Sequence, residues 1–218
     1  MGSRSPIGVV VREIGRILAE YGFAADGREF RRRSSLGDWV VVDVQTSDAS
    51  SRSRSLFFVN AGFTMGVRWD RDRSVMKRER VAPAVTNCLW RTRIDPRHGD
   101  GSKRWVIDSE VTVEAVVSEL EQVLHQRIPN LVRLLDRSHL QNIADQEAGL
   151  GYATWQVKAW LLAEEGRTGE LEAFFSPLQT MTTEPRTRRI PSSRLCGSWQ
   201  HQAGSTPTVS DDGQDRWV

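Results

Sequence analysis

Cysteine is scarce in this chain: only Cys88 and Cys196 occur in 218 residues, far apart and in unlike surroundings. That excludes a disulfide framework and leaves no paired spacing for a structural zinc site. No apolar run approaches the about 18 residues of a membrane span. The opening Met1-Gly2-Ser3-Arg4-Ser5-Pro6 lacks the apolar stretch and cleavage site of a signal peptide, and Pro6 stands where myristoylation wants Ser or Thr. The expectation is a cytoplasmic protein, neither exported nor anchored. Also missing are a Gly-x-Ser-x-Gly elbow, a Walker A loop, a His-Glu-x-x-His pair and a dinucleotide-binding glycine fingerprint, which removes the common catalytic classes. His98, His125, His139 and His201 are isolated from one another, so neither a metal nor a cofactor is expected.

Lysine is nearly absent too, at positions 77, 103 and 158 alone, so the cations are almost all arginine. They are unevenly spread. Residues 1–104 hold 20 Lys+Arg against 12 Asp+Glu, residues 105–182 hold 5 against 12, and the remainder 5 against 4. Two oppositely charged halves attract within one fold, and this weighs more than a phosphate-binding surface, because codon bias alone produces an Arg excess. The hydrophobic fraction of 39% is ample for a folded core.

Periodicity supplies the elements. Ile7, Val10, Val11, Ile14, Ile17, Leu18 and Tyr21 form one helical stripe, with Ser5-Pro6 to begin it and Gly22 to end it. Strands are expected at 28–33, 39–46, 56–64 and 84–93, with solvated loops at 48–55 and 70–80. Asp70-Arg71-Asp72 reads as a self-neutralising surface stretch rather than a catalytic carboxylate pair. Trp105-Val106-Ile107 is a short apolar segment. A second long helix follows, with Asp108 and Ser109 as candidate caps, a stripe from Val113 to Ile128, and Pro129 as its stop. Shorter helices are expected at 131–145, 154–165 and 169–178, the last two as an αα-hairpin. Beyond residue 182 the composition turns to Thr, Pro, Arg, Ser, Gly, Gln and Asp.

The fold class is therefore α+β: an N-terminal helix, an antiparallel sheet of about four strands, a C-terminal layer of three to four helices and a disordered tail. A single domain spans 1–182, with a sheet region at 1–107 and a helical region at 108–182; the tail is 183–218.

Strand alternation separates two faces. Val40, Val42 and Val44 with Phe57, Val59, Ala61 and Phe63 form an apolar face for the helices, and the same parity assigns Cys88 and Trp90 to it. The opposite face carries Trp39, Asp43, Gln45, Phe58, Asn60, Asn87, Arg91 and Arg93. Of these, Trp39, Asp43, Gln45, Asn60, Arg91 and Arg93 make up the candidate recognition surface, an aromatic platform beside amides, a carboxylate and guanidinium groups. A half-solvated face with cross-strand charge pairs and no partner is the plainer account of the same residues.

Five pieces in order carry a family resemblance: residues 22–32 (GFAADGREFRR), 39–45 (WVVVDVQ), 58–63 (FVNAGF), 88–94 (CLWRTRI) and 105–107 (WVI) before a helix. Across roughly residues 7–178 the chain resembles the bacterial domain of unknown function 4304 family. The resemblance implies a compact α+β domain and brings no activity, catalytic residue or cofactor. Arg104-Trp105 stands where that family usually pairs two tryptophans, and the tail has no counterpart. Three functional readings follow, in decreasing order: a non-catalytic module that binds a protein or peptide, an enzyme with its site on the polar face, and a nucleic-acid binder using the Arg-rich half.

Overall fold

The fold is taken from a computed structural model that describes residues 5–77, 80–97, 103–146 and 149–183, the last seven as backbone only. The expected disordered tail falls outside these residues save for Thr183.

The first helix, α1 (Pro6–Glu20), buries Ile7, Val10, Ile14, Ile17 and Leu18. Proline sits in its first turn, where no backbone N–H is needed. Ser5 occupies the cap position without a side-chain cap bond; its carbonyl instead accepts the Val9 N–H. Gly22 takes a φ of 76°, and Phe23 and Gly22 donate back to Leu18 and Ala19, a closure that a Cβ at position 22 would strain.

Among the described residues six antiparallel strands follow where the sequence indicates about four. They are β1 (Ala24–Asp26), β2 (Glu29–Arg33), β3 (Trp39–Thr46), β4 (Ser55–Thr64), β5 (Trp90–Arg93) and β6 (Trp105–Ile107), in spatial order β1-β2-β3-β4-β5 with β6 also paired to β4. The strand β1 has no buried residue and so no alternation to read. β5 and β6 occupy successive stretches of the same side of β4, opposite residues 60–63 and 55–57.

Two expectations for the middle of the chain are corrected. The run expected as a loop at 70–80 is helical as far as Val75, in α2 (Gly66–Val75), whose buried residues are Gly66 and Trp69. A charged helix with so narrow a buried stripe has almost no 3.6-residue signal. The expected strand at 84–93 is extended only in β5; before it lies a 3-10 turn at Val85–Asn87.

The helical region begins at α3 (Val113–Arg133), capped by Thr112, whose hydroxyl accepts the Ala115 N–H at 3.2 Å. Asp108 instead closes the preceding turn by accepting from Glu110 and Val111. Pro129 does not stop α3. Ile128 and Leu131 on either side of it are both buried, and packing of that stripe outweighs the one hydrogen bond that proline forfeits. The break comes at residues 134–136, where Asp136 caps α4 (Arg137–Asp145). The last two helices, α5 (Ala153–Glu164) and α6 (Thr168–Thr183), pack against each other as the expected hairpin.

One core joins these parts. Val40, Val42, Val44, Phe57, Val59, Ala61 and Phe63 of the sheet meet α1 and the Val116, Leu120, Val123, Leu124 and Ile128 stripe of α3. The two charge halves also touch at the surface, where Arg16 bonds Glu121 at 2.9 Å.

At the far end, the β2–β3 turn is locked to the helices. Asp38, with no exposed surface, accepts the Gly66 N–H at 2.9 Å and an Arg137 Nη2 bond at 3.0 Å. Arg137 Nε lies 2.9 Å from the other Asp38 oxygen, a charge contact rather than an aligned hydrogen bond. The same guanidinium reaches Glu164 of α5 at 2.6 Å.

Candidate functional site

Register fixes what shares the second sheet face. Directly opposed residues of an antiparallel pair point the same way, so the pairs Glu29↔Asp43, Asp43↔Asn60 and Asn60↔Arg93 lay one polar row across β2, β3, β4 and β5. A second row runs Arg31↔Val41, Val41↔Gly62 and Gly62↔Arg91.

The second row is partly roofed. Residues 80–88 cross it: Arg31 donates to the Pro83 carbonyl at 2.9 Å, Arg80 bonds Glu29, and Arg68 holds the Asn87 carbonyl at 3.0 Å. Where this segment meets the sheet, its Val85 and Cys88 form a small second core with Val41, and Trp39 packs against it. Arg31 is 9% exposed and is neutralised by Asp26 and Glu29. Sequence parity placed Cys88 on the helix side, but it lies on the opposite one, since alternation holds only while the chain stays extended and the 3-10 turn intervenes. Trp90, back in a strand opposite Phe63, obeys it. Asn87 belongs to the turn, where its side chain accepts the Ala84 N–H, and not to a strand face.

A close fit fixes this roof. A Cβ built on Gly62 would lie 2.7 Å from the Cys88 Cβ and 2.8 Å from its sulfur. Burial pushes the Cys88 thiol up to about 12, with Arg68 and Arg91 opposing weakly, so the native thiol is protonated and inert at neutral pH. Gly62→Ala is expected to cost about 1–3 kcal/mol and to speed alkylation of Cys88 by lifting the segment. Unfolding curves and mass spectrometry after thiol labelling measure both; an unchanged labelling rate would mean that the segment does not seat on Gly62.

The first row stays open from β3 to β5, its β2 member Glu29 being held by Arg31 and Arg80, and four of the six candidate residues meet there with a fifth beside them. Asn60 donates to Asp43 at 2.7 Å and to Gln45 at 3.3 Å. Burial raises the Asp43 carboxyl above its ordinary range, and the Asn60 bond counters part of the rise. Arg93, opposite Asn60, lays its guanidinium 4.1 Å from the centre of the Phe58 ring. Arg91 is exposed beside it. Trp39 is the member not brought in: it packs at the roofed end with Arg33 over its ring at 5.2 Å. The aromatic platform of the open row is Phe58, a residue that parity had already put on this face.

Elsewhere, a shallow groove lined by Leu36, Ser138, Gln141, Asn142 and Leu161 lies over Arg137 and Glu164. Arg137 there is already ion-paired with both Glu164 and Asp38. Among the described residues no three His, Cys, Asp or Glu side chains gather as a metal-binding group, and no helix is long and apolar enough to cross a membrane. His125 accepts or donates a 2.7 Å bond with the Tyr21 hydroxyl between α3 and α1, while His98 and Cys196 lie outside the described residues.

An antiparallel sheet backed by helices on one face and half open on the other defines an α+β protein with a polar surface in place of a cleft. Residues 14–137, more than half of the chain, match the family model described as Domain of unknown function (DUF4304), and the chain belongs to that family. The matched residues hold all six strands and end at Arg137, so the resemblance drawn from the sequence to residue 178 extends past them. No curated protein and no solved structure matches the chain.

Proposed function

We propose that this chain is a cytoplasmic interaction module whose open sheet row binds an acidic protein segment through Arg91, Arg93 and Phe58. One observation carries the reading. Two other charges of the face are neutralised or hydrogen-bonded, Asp43 by Asn60 and Arg31 by two carboxylates, whereas Arg91 and Arg93 are exposed with no ion-pair partner among the described residues, Arg93 resting only on the Phe58 ring. Two guanidinium groups on alternate residues of one strand point the same way and repel until an anion lies between them. A flat surface with an aromatic ring beside exposed arginines suits a protein segment better than a small molecule, which favours an enclosed pocket. Two cations with a carboxylate close by are also a small footprint for a nucleic-acid backbone, whose binding rests on many phosphate contacts.

Selection from a random peptide library on the wild-type protein and on the Arg91→Gln, Arg93→Gln double variant tests this. The wild type is expected to enrich Asp- and Glu-containing sequences that the variant does not retain, while the variant's stability changes by under about 1 kcal/mol, as for other exposed charges. Equal retention by both proteins, or no enrichment of acidic sequences, overturns the reading.

A further inference from the structure

The edge beside that row bears on how the segment binds. β5 closes the strand order on its side of the sheet and, among the described residues, pairs only with β4. Ile94 donates to the Val59 carbonyl at 2.8 Å, which makes Val59/Ile94 a hydrogen-bonded pair of the ladder. In an antiparallel ladder such pairs alternate with pairs that exchange no bonds. Ala61/Thr92 is therefore the next bonded pair, and Asn60/Arg93 and Gly62/Arg91 are the non-bonded ones. The main-chain N–H and C=O groups of Arg91 and Arg93 consequently point away from β4, out of the sheet. The two residues whose cations lack an ion-pair partner thus also turn their backbone groups to the edge, where among the described residues the Arg93 carbonyl meets only the neighbouring Thr92 hydroxyl, at a long 3.4 Å.

We infer that the acidic segment binds as an added strand on β5, antiparallel to it, with alternate carboxylates over Arg91 and Arg93. This deepens the proposed function and rests on it. The inference joins two requirements in one geometry. An antiparallel strand that bonds to the outward groups of Arg91 and Arg93 puts its directly opposed residues on the same face as those side chains. Acidic residues two apart then meet both guanidinium groups, and the residue between them faces the helix side of the sheet. The opposite edge, β1, is a poorer template: Ala24 and Ala25 offer no charge, and Asp26 is held by Arg31. A second copy of this chain is the disfavoured occupant of β5, since edge-to-edge pairing about a two-fold axis would set arginines against arginines, which is how natural sheets discourage self-association.

The test uses a short synthetic peptide alternating glutamate and valine, titrated against the full chain by calorimetry, together with two versions of it. One version is N-methylated at every glutamate amide and the other at every valine amide. In an extended strand these sets point to opposite edges, so only one set can bond to β5. The unmodified peptide is expected to bind wild type and to lose ~tenfold or more in affinity for the Arg91→Gln, Arg93→Gln variant. Methylating the glutamate amides is expected to weaken it by ~tenfold or more, while methylating the valine amides leaves binding within about threefold. Loss confined to the valine set overturns the antiparallel strand. Equal binding of both methylated peptides, still dependent on Arg91 and Arg93, overturns strand addition and leaves the side-chain surface standing. No binding of the unmodified peptide overturns both.

Discussion

Arg137→Met is expected to lower the stability of the protein by about 3–5 kcal/mol, the usual cost of removing one partner from a buried charge pair. Asp38 has no exposed surface, and Arg137 supplies its only charged contact among the described residues. The variant leaves that carboxylate with the Gly66 N–H alone. The penalty is then the desolvation of an anion with too little compensation, since a methionine of similar length fills the volume. Glu164 loses its partner as well, at a smaller cost because it is partly exposed. Urea unfolding measures the change. The Asp38→Asn, Arg137→Met double variant should recover much of the loss, because asparagine keeps an acceptor for Gly66 and carries no charge. A single-variant loss under about 1 kcal/mol would mean that water screens the pair and that α4 is not anchored there.

The second large effect belongs to Trp105, which is 1% exposed. Its ring lies nearly parallel to that of Phe57, centroids 6.3 Å apart, and its indole N–H donates to the Ile94 carbonyl at 2.8 Å. That bond links β6 to the end of β5 across the intervening residues, so one side chain joins the two edge strands. Trp105→Ala is expected to cost about 3–5 kcal/mol through the cavity left behind. Trp105→Phe restores most of the volume but leaves the Ile94 carbonyl without its donor, and about 1–3 kcal/mol should remain lost. Thermal and denaturant unfolding of both variants separate the two contributions. If the phenylalanine variant is as stable as wild type, the hydrogen bond contributes nothing and the edge is held by packing alone.

Both effects bear on the recognition edge, because β5 is short. It is positioned from one end by Trp105 through Ile94 and from the other by the roof segment on Gly62. The Arg91 and Arg93 side chains have no such supports of their own beyond the Phe58 ring. Stability and recognition are thus expected to separate by residue.

Local patterns made much of this legible. The stripe of α1, the alternation of β3 and β4 and the apolar face of the sheet follow from periods of 3.6 and 2, which any short window of sequence displays. Placing Asp43, Gln45, Asn60, Arg91 and Arg93 on one surface needed only that parity. It failed where the backbone left the extended state, so Cys88 changed faces at the 3-10 turn. It was silent where a helix buries little, as in α2, and misleading at Pro129, where tertiary packing outweighed a local breaker.

By itself, then, the sequence determined which side of each regular element is apolar, and hence the α+β class and the polar row. Only the tertiary structure decided that residues 80–88 roof half of that face, that Trp39 belongs under the roof and Phe58 to the open row, and that Asp38 is neutralised by a residue 99 positions away. The reason is physical. Burial of an apolar stripe repeats along the chain and leaves a period, whereas an ion pair, a close glycine contact or a free strand edge depends on where distant segments meet, and no local period records that.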